Sequence, residues 1–262
     1  MNYETLNFEV ADGVACLTFN RPKVGNALSP QMAKEFSDAA IRCDDDPAIR
    51  AVVLTGAGKL FCAGGDLGLF AEAGMGAKSL IKSMAGDLHM ALSRLARMAP
   101  PVIAAVNGAA GGAGLSIVMA ADLAIAAQSA KFTMAYTNAG LSPDGSSTFY
   151  MPRKIGDRKT RELMLTNRVL NATEAESWGV VNQVVADGEA LSVAMSLATR
   201  LASGPTQAYG AVKALLNETF EHGLESQMEL EARAIADRVA SEDGQEGIKA
   251  FMEKRKPRFC GK

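Results

Sequence analysis

Histidine is scarce in this chain: His89 and His222 are the only two among 262 residues. That leaves too few imidazoles for a zinc site built on several histidines, and no metal is expected. Cysteine is sparse as well, since Cys16, Cys43, Cys62 and Cys260 are scattered and never form a CxxC pair. Such spacing fits reduced thiols in a cytoplasmic protein better than a disulfide framework. No uncharged apolar run approaches the roughly 20 residues of a membrane helix. The stretch from Met1 to Val10 mixes Glu4, Asn7 and Glu9 with apolar residues, which excludes a signal peptide or basic transit segment. Charge of one sign is missing too: the formal net charge is −2, so nothing electrostatic points to nucleic acid. Basic residues gather only in Lys254-Arg255-Lys256-Pro257-Arg258, a run that by itself reads as a solvated tail.

What is present is an ordinary globular composition, with 48% hydrophobic and 21% charged residues, enough to bury a sizeable core. Tyr3 to Val10 and Val14 to Asn20 are β-rich runs around Ala11-Asp12-Gly13, which predicts a hairpin. Ser29-Pro30 is an N-cap and first-turn pair, after which Met32, Phe36 and Ala40 recur at helical spacing. Ala51 to Leu54 and Val102 to Val106 read as short buried strands, and a long glycine-rich loop is expected from Gly56 to Gly76. Between them, Ile81, Met84, Leu88, Leu92 and Leu95 predict a helix from about Ser79 to Met98. Strand–strand–helix units follow one another without the regular alternation of a doubly wound sheet. From Glu189 onward the pattern is helical only, broken at Gly204-Pro205, His222-Gly223 and Asp243-Gly244.

Two glycine-rich turns each follow a short buried strand. The first is Phe61-Cys62-Ala63-Gly64-Gly65-Asp66-Leu67, and the second runs from Asn107 through Gly111-Gly112-Ala113-Gly114 into a helix. Small residues let a ligand approach the main chain closely, and the helix N-terminus adds positive potential. Two free backbone N–H groups converging on a carbonyl oxygen would stabilise charge developing there. Tight packing alone would use the same glycines. A dinucleotide fingerprint is a poor fit, because Gly112-Ala113-Gly114-Leu115-Ser116-Ile117 lacks the last glycine.

Both turns and their flanks resemble the enoyl-CoA hydratase/isomerase (crotonase) superfamily. Matching segments are Asn20-Arg21-Pro22-Lys23 with Asn26-Ala27-Leu28, Val53-Leu54-Thr55-Gly56, and Pro101 to Gly108. Ala130-Lys131-Phe132, Met151 to Gly156, Trp178-Gly179-Val180-Val181 and Phe251 with Lys254-Arg255 follow in order, so the likeness spans the chain. It implies an α/β spiral of strand–strand–helix units over 1–200 with the acyl-CoA site, and a C-terminal helical trimerisation region over 201–262. It also implies a homotrimer or homohexamer, and an acyl-CoA thioester as substrate, with coenzyme A part of that substrate and no separate cofactor. The N–H groups of Gly65 and Ala113 then form the oxyanion hole, although Ala113 stands where many members have glycine. Around the substrate the resemblance places Lys23, Ala63, Asp66, Leu67, Ser116, Tyr136 and Leu141. Lys23, Phe251 and Lys254 are implied near the coenzyme A nucleotide, the last two acting from the same subunit or a neighbour. Leu69, Phe70, Met75, Met84 and Phe149 are further acyl-pocket candidates.

The acid–base positions depart from the two-glutamate hydratases, since Ser116 and Tyr136 stand where those carry glutamates. Neither hydroxyl is a good base near neutral pH. One carboxylate lies on a loop implied to border the pocket: Asp144, in Gly140-Leu141-Ser142-Pro143-Asp144-Gly145, with Ser142-Pro143 expected to open the next helix. An aspartate here resembles the base of the isomerase branches, especially the isomerase of phenylacetyl-CoA breakdown. His89 together with Asp144 is similar instead to the 4-chlorobenzoyl-CoA dehalogenases, which use a tryptophan where Tyr136 stands. An isomerase with Asp144 as its single base is thus the expectation. A hydratase, a dehalogenase-like enzyme and a non-catalytic acyl-CoA binder remain alternatives.

Overall fold

The computed structural model describes residues 3–262. Strands β1 (Leu6–Ala11) and β2 (Val14–Phe19) form the expected hairpin, with Leu6 opposite Phe19 and Ala11 opposite Val14. Asp12 and Gly13 turn it with φ of 50° and 76°, the left-handed pair that a two-residue hairpin loop requires. Helix α1 (Pro30–Asp45) starts where Ser29 Oγ accepts from Met32 N at 3.2 Å, and it buries Met32, Phe36 and Ala40. Strand β3 (Ala51–Gly56) returns parallel to β2.

The stretch expected to be a loop contains α2 (Leu67–Ala73), which precedes α3 (Ala77–Arg97). Its N-terminus is capped by Asp66, whose Oδ1 accepts from Leu69 N at 3.4 Å. Then come β4 (Val102–Val106), the two-residue β5 (Ala110–Gly111), α4 (Ala113–Ala120), β6 (Leu123–Ala127) and β7 (Lys131–Thr133). Helices α5 (Ser147–Ile155) and α6 (Asp157–Thr166), strand β8 (Leu170–Asn171), α7 (Ala172–Trp178) and β9 (Gln183–Val185) complete the mixed part. Helices α8 (Ala190–Ala202), α9 (Thr206–Glu218), α10 (Leu224–Ala240) and α11 (Glu242–Met252) close the chain.

The main sheet has the order β1-β2-β3-β4-β6-β9, parallel throughout beyond the hairpin, and β5-β7-β8 form a smaller second sheet. Strands β3 and β4 are buried on both faces, as continuous apolar runs demand. Val52, Leu54, Val102, Ala104 and Val106 face one core, shared with α1, α3 and α4. Ala51, Val53, Ile103 and Ala105 face another, closed by Ala194, Ala198 and Ala202 of α8. Both glycine-rich turns therefore hang from strands that cannot move without disturbing two cores. No helix among the described residues is long and apolar enough to cross a membrane.

Lys213 of α9 fixes the end of α3. Its Nζ donates to the carbonyls of Leu95 at 2.9 Å and Pro100 at 3.0 Å and pairs with Asp122 Oδ2 at 2.8 Å. Asn217 donates to Ala96 O at 3.0 Å. These bonds occupy carbonyls at or just beyond the end of α3, some of which a helix C-terminus leaves without partners. Burial pulls the Lys213 ammonium below its ordinary pKa, with the Asp122 charge opposing. Lys213→Met is expected to lower unfolding stability by about 3 kcal/mol, toward the low end for breaking a buried pair. The low end applies because the Asp122 side chain keeps 27% of its surface exposed. Urea titration of the two proteins checks this.

Candidate active site

The first turn is stitched on two sides. Leu28 N donates to Gly64 O at 2.7 Å and Asp66 N to Leu28 O at 3.0 Å, bonds that flank Gly65 and leave its own N–H unused. On the other side Phe61 N donates to Ala109 O at 3.1 Å, and Gly111 N to Cys62 O at 2.9 Å. The second turn ends at Gly112, with φ of 48° and ψ of −120°, a backbone region open to glycine and costly for other residues. That reversal aims Ala113, the first residue of α4, back toward the first turn. An ideal Cβ built on Gly64 would lie 3.5 Å from Ala113 N, so the two turns are neighbours. Neither Gly65 N nor Ala113 N donates to any carbonyl among the described residues. The Phe70 ring lies beside Gly65, 3.0 Å from where a Cβ would stand. Cys62, buried within the first turn, has its thiol pushed up to about 12 by burial and stays protonated.

Asp144 sits in the loop before α5. Contrary to expectation, Ser142 and Pro143 do not open that helix; it begins at Ser147, with Ser146 in the cap position. Gly145 and Ser146 take φ of 63° and 64°, and two consecutive left-handed residues interrupt any helix. The Asp144 carboxylate is about one-third exposed, at 32%. Its Oδ1 accepts from Gly145 N at 2.6 Å and is in hydrogen-bond contact with His89 Nε2. This leaves Oδ2 without a protein partner among the described residues. His89 lies on α3, and its ring is half exposed rather than buried in the core.

Both side chains open on a cleft of about 700 Å³ between α3, α5 and α9, whose walls include Leu92, Arg97, Phe149 and Tyr150. Sequence reasoning missed the α3 wall, although the signal existed: residues 92, 93, 96 and 97 lie on the helix face of His89. Asn217 and Glu218 of α9 and Glu221 in the turn after it also line it, and no local pattern marks them.

Other expected site residues divide into two groups. Ala63 and Leu67 are exposed beside the first turn, Leu141 is exposed at 38%, and Tyr136 is half-buried. Burial, then the neighbouring Asp144 charge, pushes the Tyr136 phenol up to about 12, so it is a donor and no base. Asp66 and Ser116 are used by the protein itself. Asp66 caps α2 and pairs with Arg21 Nη2 at 3.0 Å, while Ser116 is wholly buried under the Asp144 loop. Met75 is fully exposed and Met84 is buried, and neither lines the cleft. Lys23, Phe251 and Lys254 are exposed, and none lines the cleft. Among the described residues, no three His, Cys, Asp or Glu side chains converge to hold a metal.

A model of the enoyl-CoA hydratase/isomerase family matches residues 9–262. Over 256 residues the chain is 39% identical to the 1,2-epoxyphenylacetyl-CoA isomerase of Escherichia coli (strain K12), covering 97% of both chains. It is also 39% identical over 253 residues to 4-chlorobenzoyl coenzyme A dehalogenase-2 of an Arthrobacter species, covering 95% of this chain and 91% of the relative. The crystal structure of an enoyl-CoA hydratase from Polaromonas sp. JS666 matches with a TM-score of 0.93 at 33% identity, over 97% of this chain and 99% of the other.

Proposed function

The chain belongs to the enoyl-CoA hydratase/isomerase family, and from that premise we propose that it is an isomerase moving a double bond along an acyl-CoA thioester. The observation that carries this reading is the Asp144 carboxylate, which stands beside His89 with Oδ2 free at the edge of the cleft. Asp144 takes a proton from the carbon next to the thioester of a 3-enoyl group. The negative charge moves onto the thioester oxygen, where the N–H groups of Gly65 and Ala113 stabilise it by about 3–4 kcal/mol each. Asp144 then returns the proton two carbons further along, giving the 2-enoyl isomer with no change in composition. Water addition by the two-glutamate route would need carboxylates where Ser116 and Tyr136 stand, and those hydroxyls hold their protons.

The contact between His89 and Asp144 favours a second reading. In it the Asp144 carboxylate attacks a halogenated ring carbon of an aromatic acyl-CoA, halide leaves, and His89 draws a proton from water to hydrolyse the aryl ester. One experiment separates the two. Purified protein is given 3-enoyl-CoA, 2-enoyl-CoA and 4-chlorobenzoyl-CoA in separate reactions, with products followed by mass, absorbance and chloride release. Conversion of 3-enoyl to 2-enoyl without mass gain is expected. A mass gain of one water on 2-enoyl-CoA makes it a hydratase, and chloride release moves it to the second reading.

Helices α9 and α10 and the turn between them expose Leu216, Phe220, Leu224, Met228 and Ile235, apolar surface that a second copy of the chain would cover. A trimer or hexamer built on it is part of the proposal, with Phe251 and Lys254 serving a neighbour's coenzyme A.

A further inference from the structure

Three hydroxyls converge on one main-chain oxygen beneath the site. The Asp144 carbonyl accepts from Ser116 Oγ at 2.7 Å, Ser147 Oγ at 3.0 Å and Tyr136 OH at 3.4 Å. A carbonyl offers two lone pairs, so three donors occupy it fully and resist rotation of the loop. The nearest donor is also the most confined. Ser116 is wholly buried and is the only residue of α4 with a polar side chain, set among Leu115, Ile117, Val118 and Met119. The loop lies directly on it, since a Cβ built on Gly145 would stand 3.0 Å from Ser116 Cβ. Tyr136, protonated up to about 12, keeps its donor across any practical pH.

Helix α4 thus carries both the Ala113 N–H at its first residue and, one turn on, the hydroxyl that grips the loop of the base. We infer that Ser116 is a positioning residue: its bond to the Asp144 carbonyl sets the carboxylate's place relative to the Ala113 donor. The role rests on Asp144 being the proton carrier. Packing alone would be served by alanine or cysteine here. What the hydroxyl adds is a fixed link between two groups that must act on one substrate, where an error near 1 Å can cost about 10²-fold in rate.

The test compares Ser116→Ala and Ser116→Cys with the parent enzyme on 3-enoyl-CoA, each also in an Asp144→Asn background. Cysteine keeps the volume but is a weak donor, which separates a lost bond from a cavity. Both single variants are expected to lose about 30-fold in kcat with KM within about 2-fold, and melting temperature within about 3 °C. In the Asp144→Asn background neither should lower the residual rate further, because there is no base left to place. Unchanged kcat in both single variants, or an equal loss in the presence and absence of the carboxylate, overturns the positioning role. If Asp144→Asn is itself fully active, the reading of Asp144 falls instead, whatever the serine variants do.

Discussion

Replacing Asp144 with asparagine is expected to lower kcat for 3-enoyl-CoA isomerisation by about 10³-fold, with KM changed only a few-fold. Positioned proton transfer is worth about 10²–10⁴ in rate, and a shuttle that uses one group twice loses both steps at once. Asparagine matches the carboxylate in shape. Its oxygen can still accept from Gly145 N, and the amide remains within reach of His89. What disappears is the ability to hold a proton at the other oxygen. The loop should stay put, because Ser116, Ser147 and Tyr136 grip the main-chain carbonyl rather than the side chain. Steady-state rates, with exchange of acyl protons in heavy water as a second readout, measure the effect. A variant within about 10-fold of the parent in both would remove Asp144 from the chemistry.

Much of this arrangement is legible in the residues one after another. Ser29-Pro30 announces α1, Asp12-Gly13 announces the hairpin, and each glycine-rich turn follows an apolar run that becomes a central strand. Asp144 is legible as a chemical outlier, a carboxylate in the stretch where the family resemblance implies an acyl pocket. The partner of Asp144 is less so. His89 stands 55 residues earlier, and only the rotation of α3 about its axis brings Nε2 to Oδ1. Local backbone detail also escapes the sequence. Ser-Pro-Asp reads as a helix start until Gly145 and Ser146 both turn left-handed, an event set by the loop's fit against Ser116. Helix α2 hides in a glycine-rich stretch because it is only seven residues long and depends on its Asp66 cap. Ser116 illustrates a deeper limit. A resemblance supplies a position, but whether a side chain there faces substrate or protein depends on which loop lies over it.

Ala113→Pro should cost nearly as much as loss of the base, for a reason peculiar to its place. Side-chain substitutions rarely remove a backbone donor cleanly. Here the donor is the first residue of α4, where an N–H has no partner within the helix and where proline is well tolerated. Gly112, just before it, has ψ of −120°, outside the helical region that a following proline disfavours. The substitution therefore leaves every hydrogen bond recorded for the turn in place, including Gly112 N to Thr133 O at 2.9 Å and Ser116 N to Gly112 O at 3.0 Å. It replaces one hydrogen by a ring carbon at the position proposed to hold the thioester oxygen. Removing an oxyanion donor costs about 10²–10³ in kcat, and the ring also keeps the oxygen at a distance, so kcat/KM is expected to fall by about 10³-fold. Melting temperature should hold within about 3 °C. Ala113→Gly, which keeps the N–H, should run near the parent rate. If the proline variant folds and retains more than about a tenth of kcat/KM, the oxygen is held elsewhere. The two turns would then be a packing device, and the charge on the enolate would need another donor than Ala113.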